Sequence, residues 1–79
     1  MARFPAGERL RQARIAARKT PEEVAVAVGR SAVSISGYEL GKIEPPIHVL
    51  AEIAAVCGVT LGDILDARHE HVAVGGHDG

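Results

Sequence analysis

Cysteine, aromatic side chains and long apolar runs are all scarce in this chain, and each scarcity excludes something. Cys57 is the sole cysteine, so no intramolecular disulfide can form and a buried free thiol in a reducing cytoplasm is expected. Tryptophan is absent, and Phe4 and Tyr38 are the only aromatics among 47% hydrophobic residues, so the core must be built from Ala, Val, Ile and Leu. That composition suits short, closely packed helices. No apolar run approaches the ~20 residues that span a bilayer, and the N-terminus lacks the charged and apolar regions of a secretory signal. A soluble, cytoplasmic protein without a membrane partner is expected. With 79 residues there is room for one small domain, because such a chain buries roughly 60–65% of its unfolded surface. Its stability should be marginal, and dimerisation would add to it.

Catalytic signals are lacking too. There is no glycine-rich phosphate loop, and Ser31, Ser34 and Ser36 have no histidine base at a defensible spacing. His69, His71 and His77 with Asp66, Glu70 and Asp78 include metal-ligating types, but in a glycine-rich tail they lack the outer groups that orient ligands. His48 is expected on the exposed side of a helix. Neither enzyme activity nor a metal or other cofactor is expected.

An excess of one charge is missing overall, since the net charge is −1. Dividing the chain changes that picture. Residues 1–42 carry Arg3, Arg9, Arg11, Arg14, Arg18, Lys19, Arg30 and Lys42 against Glu8, Glu22, Glu23 and Glu39, a net +4. The remainder carries Arg68 against Glu44, Glu52, Asp63, Asp66, Glu70 and Asp78, a net −5. Such asymmetry can build a positive face for phosphate despite an acidic total.

What is present is a succession of helix signals. Residues 1–6, with Pro5 and no periodicity, read as a flexible arm in which Arg3 could touch a phosphate. From Gly7 to Ala17, the residues Leu10, Ala13, Ala17 and Ile15 sit near helical spacing, with arginines on the remaining surface. Thr20-Pro21-Glu22-Glu23 supplies a hydroxyl cap, a first-turn proline and the glutamate of a capping box, so a second helix starts near Pro21. Val24, Ala25 and Val28 form its inward stripe, and Gly29 ends it. Ser31 then caps a third helix over about 32–40, with Ile35 and Tyr38 turned to the core and Gly41 as its stop. Pro45 and Pro46 enforce a loop. Val49, Leu50, Ile53, Ala54 and Cys57, followed by Gly58, mark a fourth helix over about 46–57. Thr60 caps a short fifth in which Leu61, Ile64 and Leu65 are apolar and Asp63 sits in the first turn. From about Ala67 the chain reads as a flexible tail in which Val72 and Val74 could dock on a neighbour.

The stretch GRSAVSISGYELGK, residues 29–42, therefore reads as the turn and second helix of a helix-turn-helix. Together with GERLRQAR, TPEEVAVAVG, the pattern S-x-x-x-I-S-x-Y-E-x-G-K, the later EP and GVTLGDIL, it resembles the Cro and lambda-repressor type of DNA-binding domain, the Xre family. The resemblance covers about residues 7–66. It implies an all-α, compact five-helix domain that binds double-stranded operator DNA as a homodimer and acts as a bacterial or phage-type repressor. One recognition helix would enter the major groove per half-site, about 34 Å apart.

By that resemblance Arg14 and Glu39 form a salt bridge between helices 1 and 3. Ala32, Val33, Ser34 and Gly37 face bases, while Arg11, Arg18, Lys19, Arg30, Ser31, Ser36 and Lys42 contact phosphates, joined by Arg14 if it is unpaired. Three departures accompany this. Pro21 stands where many members carry a phosphate-gripping glutamine, leaving helix 2 amides as the anion donors. Arg18-Lys19 replaces a common glycine and apolar residue, so Lys19 must bury its stem or leave a gap. The loop after helix 3 is poor in donors. The reading positions are themselves small, which suits thymine methyl contacts or readout of DNA shape, and Gly37 inside the helix hints at a close backbone approach or a tolerant surface. The alternative function is a helix-turn-helix that binds a protein partner through Ala32, Val33, Gly37 and Leu40, as in an antitoxin. Helices 4 and 5 and the Val72/Val74 tail are the expected dimer surface.

Overall fold

In the computed structural model, which describes residues 5–65, the chain forms α1 (Gly7–Ala16), α2 (Pro21–Val28), α3 (Ala32–Glu39), α4 (Ile47–Cys57) and α5 (Leu61–Leu65). No strand occurs among the described residues. None of the helices is long and apolar enough to cross a membrane. Arg3, Asp66, the three tail histidines and the Val72/Val74 pair lie outside the described residues.

The caps are local and correspond to the residues that signal them. Thr20 Oγ1 accepts the Glu23 N–H at 3.1 Å, and Glu23 Oε1 accepts the Thr20 N–H at 2.8 Å, which satisfies two donors at the start of α2. Thr60 and Asp63 repeat the exchange before α5, at 3.0 and 2.9 Å.

Four helix ends share one C-terminal turn, in which a residue in left-handed conformation lets two successive N–H groups return to the last carbonyls. Gly29, Gly41 and Gly58 occupy that position after α2, α3 and α4 with φ of 72°, 78° and 77°. After α1 the position belongs to Arg18, with φ of 61°. Its N–H reaches Ile15 O at 2.9 Å, and the Lys19 N–H reaches Arg14 O at 3.2 Å. A side chain in this region costs about 1 kcal/mol or more relative to glycine, so the replacement noted in the sequence leaves a strained residue.

Leu10, Val24, Ile35, Val49, Leu50, Ile53 and Ile64 are sealed from solvent at the centre of the core. α1 packs on α3, α4 and α5, and α2 packs on α3 and α4. Aliphatic side chains fill the space, as the lack of aromatics requires, and Tyr38 joins them at 4% exposure.

Two expectations change. Ala6, assigned to the arm, is buried in the core, where its carbonyl accepts the Leu10 N–H. Ile15 is 45% exposed, because the inward stripe of α1 follows Gly7, Leu10, Ala13 and Ala17, and Ile15 lies off it on the helical wheel.

The close approach of α1 to α3 depends on Gly7. A Cβ there would lie 2.5 Å from Tyr38 O and 2.7 Å from Glu39 O, so only a hydrogen lets the start of α1 meet the end of α3. The positive end of one helix dipole thereby faces the negative end of another. Arg9 ties the opposite side, its Nε donating to Ile64 O at 2.6 Å and Nη2 to Leu65 O at 3.3 Å.

Candidate nucleic-acid interface

α2, the turn at Gly29 and α3 form the helix-turn-helix. Ser31 starts α3: its Oγ accepts the Ser34 N–H at 3.1 Å and donates to Ser34 Oγ at 3.1 Å. Among the described residues of its first turn, α3 carries no acidic side chain, so its positive dipole end is not offset there. α2 differs, with Glu22 and Glu23 in its first turn. Those carboxylates oppose an anion at the α2 amides.

The position of α3 is fixed from below. Arg14 Nε donates to Glu39 Oε2 at 2.6 Å and Arg14 Nη2 donates to Glu39 Oε1 at 2.9 Å, a fork-to-fork pair. Arg14 Nη1 donates to Lys19 O at 2.8 Å. Glu39 is buried at 9% exposure, the one buried charged residue among the described residues. The hydrogen bond to Glu39 holds the Arg14 guanidinium above its already high ordinary pKa, against the opposing effect of burial. Arg14 is therefore engaged with protein groups.

The four residues expected to face bases all lie on α3 but differ in exposure. Val33 is open, at 79% exposure. Ser34 is half-buried and committed to the cap. Ala32 is half-buried and packs against the core. Gly37 is buried, and a Cβ there would meet Ile43 Cδ1 at 2.6 Å, so the close approach that its small size hinted at is made by Ile43. Gly37 is therefore covered by Ile43.

The residues expected at phosphates divide by place. Arg30, Ser31, Ser36 and Lys42 belong to α3 and its two ends, and all four are exposed. Arg11 is exposed on α1, and Arg18 is exposed after it. Lys19 is half-buried, close enough to Cys57 to lower the thiol's pKa, although burial wins and pushes that thiol up. Its stem is thus partly covered. Three residues with structural weight escaped the sequence reading: Gly7, Arg9 and Ile43. Their partners lie in other elements, and no local spacing marks them.

No curated protein and no solved structure matches the chain significantly. A family model described as a helix-turn-helix domain matches residues 6–67, which takes in all five helices and the buried Ala6. The chain belongs to the helix-turn-helix domain family.

Proposed function

We propose that the protein is a sequence-specific DNA-binding transcriptional regulator of the Xre type, a repressor that binds operator DNA as a homodimer with α3 in the major groove. The observation that carries this reading is the fixed presentation of α3. Its outer positions Val33 and Ser36 are exposed, Arg30 and Lys42 stand at its two ends, and Arg14 locks its final turn through Glu39. A helix held this way can meet a groove without reordering, while exposed cations neutralise phosphates. Arg11, Arg18, Lys19 and Ser31 complete the proposed phosphate set. Ile47 on α4 and Leu65 on α5, exposed at 60% and 41%, supply apolar surface for a second copy. A buried free thiol at Cys57 suits a cytoplasmic setting.

Binding measured against salt tests the reading. Affinity for a sequence selected from random DNA should fall steeply as salt rises and exceed random-DNA affinity by at least ~10³. Equal, weak binding to every sequence would overturn it. A second reading, recognition of a protein partner by the same helix, draws on the exposed aliphatic residues Val33, Leu40 and Ile43. It predicts partner binding with little salt dependence and no preferred DNA sequence.

A further inference from the structure

We propose that Ile43, from the loop after α3, determines DNA specificity together with Val33 by packing on thymine C5-methyl groups. This deepens the DNA-binding reading and rests on it. The turn that ends α3 sends the chain back over the helix: Gly37 O accepts the Lys42 N–H at 2.9 Å and the Ile43 N–H at 3.2 Å. Ile43 then lies where a side chain at position 37 would project, its Cδ1 2.6 Å and Cγ1 3.1 Å from the Cβ site of Gly37. Gly37 contributes no side chain to the outer face, and Ile43 fills that place from outside the helix.

Ile43 remains 46% exposed while seated there. Val33, one helical turn before Gly37, is 79% exposed, and Leu40, three residues after it, is 54% exposed. The outcome is an aliphatic strip along the helix, bracketed by the exposed cations Arg30 and Lys42. The thymine methyl is the apolar group that a major groove offers, and phosphates flank it on both sides. A methyl-lined groove between two anionic strands matches an apolar strip between two cations. A neutral apolar partner matches the strip alone.

The test uses the full chain and an operator selected from random DNA, with each thymine replaced in turn by deoxyuridine, which removes only the methyl. Burial of one methyl predicts about a fourfold loss of affinity at one or more thymines in each half-site. The Ile43→Ala variant should lose a similar factor on the thymine operator and become insensitive to deoxyuridine at the position Ile43 covers. Ile43→Val, which removes Cδ1 alone, should fall between the wild type and Ile43→Ala; because Ile43 is half-buried against Gly37, affinities are compared at a temperature where the melting curve shows each variant fully folded. Full affinity for every deoxyuridine operator would overturn the methyl contact while leaving DNA recognition intact. Undiminished sensitivity at every position in Ile43→Ala would overturn the role of Ile43. Failure of selection to yield any preferred sequence would overturn the DNA reading, and this proposal with it.

Discussion

Arg14 grips both carboxylate oxygens of Glu39, at 2.6 and 2.9 Å, while its remaining nitrogen holds Lys19 O at 2.8 Å. The pair therefore joins three pieces of chain: α1, the turn after it, and the last turn of α3. Such a buried pair adds little over well-packed apolar residues, since desolvation opposes the attraction. Its value lies in geometry, because a planar fork accepts one orientation of its partner.

Removing one partner should be far worse than removing both. Glu39→Ala leaves the Arg14 guanidinium, whose side chain is 12% exposed, without its counter-charge, and should cost about 3–5 kcal/mol in urea unfolding. That loss is comparable to the whole stability of a domain this small. The double variant Arg14→Met/Glu39→Leu should recover much of it. A single-variant loss below about 1 kcal/mol would show that the pair is no more than a surface contact.

Arg18→Gly should stabilise the protein. Arg18 sits at φ of 61° in the turn that glycine occupies after α2, α3 and α4. Relief of that strain outweighs the extra freedom glycine gives the unfolded chain, and about 0.5–1 kcal/mol should be gained. The same variant should weaken DNA binding if Arg18 meets a phosphate, with a salt slope shallower by about one unit. Stability and affinity moving in opposite directions would separate the strain from the charge.

Such local features are what the sequence discloses best. Thr20, Glu23, Ser31, Thr60 and the glycines that end α2, α3 and α4 act within one turn of themselves, so spacing alone reveals them. Ile15 misleads because periodicity in a ten-residue helix admits more than one inward stripe, and the packing of α3, α4 and α5 on α1 decides between them. Ala6 looks like arm because nothing local shows that the core reaches past the helix start. Ile43 is legible only after the turn at Gly41 is built, since that turn, and not sequence distance, places it on Gly37. The residues expected to face bases are accordingly the least legible: two of the four are small residues taken up by the fold itself, Ala32 against the core and Gly37 beneath Ile43.

Gly7→Ala should destabilise, against the usual preference for alanine in a helix of about 1 kcal/mol. The added carbon would sit 2.5 Å from Tyr38 O and 2.7 Å from Glu39 O, both backbone atoms that cannot rotate away. α1 and α3 must separate, at an overpacking cost of about 1–3 kcal/mol. A drop of about 4–8 °C in melting temperature per kcal/mol is expected for a chain of this size. An unchanged or higher melting temperature would mean that the two helices do not meet at this point. The shift should also reach α3, so DNA affinity should fall even at temperatures where the variant is fully folded.

Cys57 should make stability fall at alkaline pH. Burial raises the thiol's pKa above its ordinary value of 9.0, and nearby Glu39 adds to the rise, whereas Lys19 and Arg14 oppose it. The unfolded chain releases this proton first, so its contribution to stability is complete below pH 9.0 and is lost as pH climbs through the folded value. A single group of this kind limits the slope to about 1.4 kcal/mol per pH unit. Cys57→Ala removes the group and should flatten the unfolding free energy between about pH 8 and pH 10 relative to the wild type, at the expense of some packing. Lys19→Met should steepen the wild-type decline, because it removes the cation that favours the thiolate in the folded protein. Parallel curves for the wild type and Cys57→Ala would show that the thiol titrates alike in the folded and unfolded chains.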